Sequence, residues 1–229
     1  MKVLFPFVGD SVGGSHNSII ELYQSLNKTS VCPIILVHNE GPLTDFLKSL
    51  EIPYILFSAY KLAGESPKVF QVMFGIMLNF FKIQRFLKEN KIDIVHGNDL
   101  RINLTWSLPT RLSKSKYIWH QRATMSNSVL WKLSLLNFDH IVAISQHVYK
   151  SLPKNIPSFK KSLVLNPFNV EKIYDKNTSR KWVEEKYGIP RDIILFGYIG
   201  RLISWKNVDQ LILYFRDYIE NKKNLIYLL

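Results

Sequence analysis

An α/β fold built on a doubly wound parallel sheet is what this 229-residue sequence predicts, and three observations carry that expectation. Short apolar, β-branched runs alternate with longer helical patterns along the whole chain, as successive strand-helix-strand units do. The runs are nearly continuously hydrophobic, which suits strands covered on both faces. Hydrophobic residues make up 47% and charged residues 21%, far from the composition of a disordered chain, so a sizeable core forms.

Taken in order, the strand candidates are Val3 to Val8, Ile34 to His38, Tyr54 to Phe57, Ile92 to His96, Tyr117 to Gln121, His140 to Ser145 and Ser162 to Asn166. The first contains Pro6 and ends at Gly9-Asp10, too short and too early for the apolar stretch of a secretory leader. Ile19, Leu22, Tyr23 and Leu26 recur at i, i+3, i+4 and i+7, one face of a helix that opens just after Gly13-Gly14. The segment Val69 to Leu87 is the most apolar and is followed by Lys88; Gln71, Gly75 and Asn79 interrupt it, and its apolar part is shorter than the roughly 20 residues a bilayer span needs. It reads as a buried or partly buried helix, with a membrane-surface helix as the competing reading. Beyond Pro167 the pattern restarts: a helix near Ser179 to Lys186 stopped by Gly188 and Pro190, a strand Ile193 to Ile199, an amphipathic helix Val208 to Ile219 and an apolar run Leu225 to Leu229. This divides the chain into a first domain, 1–167, and an incomplete second one, 168–229, read as truncated or as half of an interface.

Cys32 is the only cysteine, so neither an intramolecular disulfide nor a multi-cysteine metal site can form, and a reducing, cytoplasmic setting is expected. The formal net charge is +12. Residues 1 to 165 hold 19 basic against 10 acidic side chains. Such a field favours phosphorylated substrates or anionic lipid headgroups, unless it is merely a solvated basic surface. No recognition helix, zinc finger or RNP-like pattern is present and the basic residues are scattered, so nucleic acid is not expected as a partner.

The stretch Phe196-Gly197-Tyr198-Ile199-Gly200-Arg201-Leu202-Ile203-Ser204-Trp205-Lys206-Asn207-Val208 reads strand, tight turn, helix start. Gly200 lets the backbone turn or approach a ligand, and Asn207 with Gln210 makes a capping-box-like pair. A helix N-terminus attracts anions, and Arg201 and Lys206 add permanent charge beside it, fit to grip phosphate oxygens; the alternative is two solvated loop cations.

That stretch resembles the segment that opens the donor domain of family 4 glycosyltransferases of the GT-B fold. Gly13-Gly14 is similar to that family's N-terminal glycine pair, Ile141-Val142-Ala143-Ile144-Ser145 to a strand near the end of its first domain, and Val164-Leu165-Asn166-Pro167-Phe168-Asn169-Val170 to its crossing into the second. The resemblance implies two Rossmann-like domains and a retaining hexosyltransferase that moves sugar from a nucleoside-diphosphate sugar to a cell-surface glycan or lipid-linked acceptor. It implies that Arg201, Lys206 and Gly200 hold the donor diphosphate and that the Gly13-Gly14 loop admits the substrate. His120 would be the histidine facing the donor sugar, a catalytic role, while His96, Asn98 and Asp99 would line the acceptor side. Without the resemblance, His120 and His96 are equally readable as histidines satisfied within the fold.

The departures are specific. The family's two glutamates eight positions apart are missing, Asn207 stands where glycine is common, and no Asp-x-Asp is present. No metal and no cofactor is therefore expected beyond the nucleotide sugar itself. With half the donor site missing, a non-catalytic fragment or a subunit needing a partner chain is the alternative. The basic first domain and segment 69–88 would suit a peripheral enzyme at an anionic membrane face.

Overall fold

A computed structural model describes residues 1–59, 69–125, 135, 137–167, 174–191, 193–200, 202, 204–221 and 225–228. It forms two compact units, Met1–Phe168 and Asn169–Leu229, described separately below.

The first unit holds seven parallel strands: β1 (Lys2–Phe7), β2 (Cys32–Val37), β3 (Tyr54–Leu56), β4 (Ile94–Gly97), β5 (Lys116–Gln121), β6 (His140–Ala143) and β7 (Lys161–Leu163). Their spatial order is β3-β2-β1-β4-β5-β6-β7. The α/β sheet expected from the alternation is what the chain forms. Boundaries move by one to three residues; β7 is the largest change, stopping at Leu163 instead of Asn166. Side chains alternate across β1: Val3, Phe5 and Phe7 join one core with Ile35, Val37 and Ile19, while Leu4 and Val8 join another with Leu36, Trp106 and Trp119.

Helix α1 (Gly14–Ser25) and helix α2 (Pro42–Ser49) cover the first of these faces; α3 (Val69–Glu89) and α4 (Leu100–Arg111) cover the other, and α5 (Gln146–Ser151) follows β6. Ile19 and Tyr23 are buried and Leu22 and Leu26 pack partly against the same core, so the i, i+3, i+4, i+7 stripe faces the sheet. Pro42 at the first turn and the Thr44 hydroxyl, which accepts from Gly41 N–H at 2.9 Å, open α2.

Helix α3 departs from the expected arrangement. Gly75, Asn79, Ile83 and Leu87, spaced by four, are the buried line, whereas Phe70, Met73, Phe74, Met77, Leu78 and Phe81 are exposed. Two of the interruptions, Gly75 and Asn79, therefore lie inward on a helix that packs on α4, and these aromatic and methionine side chains lie outward. Among the described residues no helix is long and apolar enough to cross a membrane.

In the second unit, α6 (Lys176–Tyr187) is capped by Asp175, whose carboxylate accepts from Thr178 N–H at 2.8 Å, and ends at Gly188 with φ +65°. Strands β8 (Ile194–Gly197) and β9 (Leu225–Leu228) pair in parallel, joined through α7 (Val208–Asn221).

Candidate functional site

Strand order reverses direction between β1 and β4: the chain runs outward to β2 and β3 on one side, then returns to β4 and continues to β7 on the other. Open α/β sheets bind ligands outside the carboxyl ends of strands at such a switch point, and His96 on β4 and His120 on β5 lie beside it. His96 lies within β4 and His120 within β5, so both rings are held by the sheet itself. Parallel register places them side by side, with stacked rings (17° between planes) and His96 Nε2 3.2 Å from His120 Nδ1.

Arg122, two residues beyond His120, completes the cluster. Its Nη1 donates to Asn166 Oδ1 at 3.0 Å, and its Nη2 to Asn98 Oδ1 at 3.1 Å and Ser18 Oγ at 3.3 Å. The same Nη2 lies 3.4 Å from His120 Nδ1. A guanidinium only donates, so His120 Nδ1 is the accepting nitrogen and the ring proton sits on Nε2. His96 Nε2–H then donates to the same Nδ1. Burial, reinforced by the Arg122 charge, holds His96 at about 3; burial, then Arg122 and His96, holds His120 at about 2. Both rings are neutral at physiological pH. His120 thus presents an N–H donor, Nε2, which is buried and has no partner among the described residues. It can donate to a substrate oxygen; it is poorly suited to take a proton.

The remaining residues singled out from the sequence have varied fates. Asn98 anchors Arg122, and its Nδ2 donates to His96 O at 3.0 Å. Asp99 instead caps α4, accepting from Ile102 N–H at 2.9 Å, and burial raises its carboxyl above the usual range. Gly13 precedes α1 and Gly14 opens it; Gly13 N–H donates to His16 Nδ1 at 3.1 Å. Gly13 has an extended backbone, and a Cβ on Gly14 would meet nothing within 4 Å. Neither position needs glycine for its own backbone or packing. Nearby, Asp10 pairs with Arg101, one oxygen accepting from Nη2 at 3.0 Å, and the ion pair lowers the Asp10 carboxyl.

In the second unit Gly200 follows β8, Lys206 ends the short 3₁₀ turn Ser204–Lys206, and Arg201 lies outside the described residues. Asn207 has φ +51°, a left-handed conformation that glycine and asparagine tolerate best, and its carbonyl accepts from Leu211 N–H at 2.9 Å. This is the physical reason asparagine can stand in a position where glycine is common. The sequence reading passed over Arg122, Ser18 and Asn166. The usable signal was the two-residue step from His120 to Arg122 at a strand end. A cavity of about 580 Å³ lined by Lys88, Lys91, Asp93 and Lys114 opens beside the amino ends of β4 and β5, away from this cluster. Among the described residues no group of three or more His, Cys, Asp or Glu side chains could hold a metal ion.

The sequence matches no protein-family profile and no curated protein. Its fold does match solved structures. Anabaena HepE in complex with UDP and glucose superposes with a TM-score of 0.71 at 13% identity, over 100% of this chain and 69% of that one. The lipopolysaccharide outer core galactosyltransferase WaaB gives 0.64 at 19% identity, over 99% and 67%. A UDP-N-acetylglucosamine 2-epimerase gives 0.59 at 11% identity, over 99% and 61%. The fold is thus the Rossmann-like α/β architecture of GT-B glycosyltransferases, one that also carries an epimerase.

Proposed function

We propose that this chain is a glycosyltransferase moving a sugar from a nucleoside-diphosphate sugar to a glycan or lipid-linked acceptor, with retention at the transferred carbon. The observation that carries the reading is the neutral His96–His120 pair at the sheet's switch point, with a buried N–H on His120 that has no partner among the described residues. Such a donor suits a sugar hydroxyl, where a hydrogen bond fixes orientation without needing a charge. The GT-B neighbours described with UDP or as a galactosyltransferase support it, as do the four ordered segments that resemble family 4 members. In this reading Gly200, Arg201 and Lys206 receive the diphosphate. Negative charge grows there as the glycosidic bond breaks, so cations stabilise the transition state more than the ground state.

The test is calorimetric titration of the whole chain with UDP, GDP and their sugar conjugates. One nucleotide is expected to bind in the micromolar range, and Arg201→Ala and Lys206→Ala are each expected to weaken it about tenfold, the worth of one charge-assisted hydrogen bond. Binding that neither substitution touches would remove the diphosphate assignment; transfer assays with radiolabelled sugar then decide the reaction.

The reading extends to an anionic membrane surface. Helices in such crossovers run antiparallel to the strands, so the half of α3 bearing Phe70, Met73, Phe74, Met77 and Phe81 lies toward the carboxyl ends, the end that holds the histidines. Lys82 and Lys88 follow, on a unit rich in basic residues. Aromatic and basic side chains on one helix face suit the headgroup boundary. Vesicles containing phosphatidylglycerol are expected to retain the chain in flotation at low salt, and Phe70→Ser with Phe81→Ser to release it. Equal flotation of the double variant would sink this part.

A further inference from the structure

Arg122 is a permanent charge set among groups that cannot balance it. Every partner it has among the described residues is neutral: Asn166, Asn98, Ser18 and the acceptor nitrogen of His120. No carboxylate pairs with it among the described residues; Asp10 is taken by Arg101, and Asp99 caps α4. Its Nε–H is buried with no partner among the described residues, as is the Nε2–H of His120, a ring only 8% exposed. Burial with no compensating anion also pulls the guanidinium down to about 10. Arg122 is half-buried, and folded proteins pair charges that are withdrawn from water, because an isolated one forfeits hydration without recompense. Neutral acceptors orient this one and leave its charge uncancelled.

We propose that Arg122 is the receptor for a phosphoryl group of the substrate, with the unused N–H of His120 as a second donor in the same cluster. This deepens the transferase reading by naming the chemistry that the first unit's site recognises. A planar guanidinium already held by two asparagines is preorganised for phosphate oxygens, so little side-chain entropy is lost on binding. The phosphoryl group has two possible sources: the diphosphate of the donor, or a phosphate carried by the acceptor.

The experiment uses the whole chain with inorganic phosphate and pyrophosphate as probes. It follows the Arg122 Nε–H resonance by NMR and the melting temperature in parallel. Both probes are expected to shift that resonance and to raise the melting temperature, with Arg122→Gln losing the response and Arg122→Lys binding about tenfold more weakly. If UDP displaces the probe, the source is the donor diphosphate; if the probe still binds to the UDP-saturated chain, the source is an acceptor phosphate. Undiminished probe binding by Arg122→Gln, or an unmoved Nε–H resonance in the parent chain at saturating probe, overturns the proposal. Should Arg122→Gln fail to fold, the resonance of the parent chain and the Arg122→Lys variant decide it. Because inorganic probes need no nucleotide, a negative UDP titration would not itself count against Arg122.

Discussion

Lowering the pH from about 7.5 to about 5 is expected to remove several kcal/mol of stability from the chain, through histidines that are buried neutral. His38, His96 and His120 are held at about 4, about 3 and about 2 against an ordinary value of 6.5, in each case chiefly by burial. The unfolded chain therefore binds protons below about pH 6.5 that the folded chain refuses, so stability is complete above that value and falls as the pH drops toward the folded values. Each such histidine costs about 1.4 kcal/mol per pH unit in that window, hence about 2 kcal/mol by pH 5. Three together are a large part of a typical domain's 5–15 kcal/mol. Two carboxyls act lower down and in opposite senses. Asp10, lowered by Arg101, loses stability below its ordinary range, while burial-raised Asp99 is relieved on protonation. Urea transitions followed by the fluorescence of the buried Trp106 and Trp119 measure the slope. His38→Gln keeps an acceptor for the indole N–H of Trp106, now received by His38 Nε2 at 2.9 Å, and removes one titrating group. It should flatten the slope by about 1.4 kcal/mol per pH unit. An unchanged slope would mean that His38 does not carry its share.

Gly97→Ala is expected to cost about 3 kcal/mol and to disable the site with it. Gly97 ends β4 between His96 and Asn98, and a Cβ there would fall far inside van der Waals contact with Tyr117 Oη and Asn103 Oδ1. Those two atoms are hydrogen-bonded to each other at 2.7 Å, with Tyr117 fully buried and Asn103 nearly so. The interior cannot yield without breaking that bond or displacing β4, and displacing β4 moves the ring of His96 away from His120. A double-mutant cycle with Tyr117→Phe makes the claim specific: removing the hydroxyl should recover part of the loss. Strict additivity of the two substitutions would show that the clash lies elsewhere.

The parallel sheet was legible because buried strands leave contiguous apolar runs, and Val3–Val8 or Tyr117–Gln121 can hardly be read otherwise. His96 and His120 were nameable from strand ends and family resemblance, yet which nitrogen of His120 carries its proton depends on Arg122, and that contact exists only once the chain is folded. Arg122 itself was invisible for a related reason. Its significance lies in having no carboxylate paired with it among the described residues, and a sequence shows the presence of residues, not the absence of neighbours. Helix α3 is partly buried, as its segment was read, but which of its sides faces inward was not legible: Gly75 and Asn79 are buried while Phe70 and Phe81 are exposed. The left-handed backbone of Asn207 could have been suspected from the glycine common at that position.

The reversed polarity of α3 separates two kinds of genetic constraint that most helices superimpose. Enlarging Gly75 or Asn79 would push the helix off its neighbour and lower the amount of folded protein, while polar replacements at Phe70, Met77 or Phe81 would leave folding almost untouched. In a saturation library scored once for abundance and once for cellular activity, the two readouts should part company along this helix. The inward line would be sensitive in both, the outward line in activity alone.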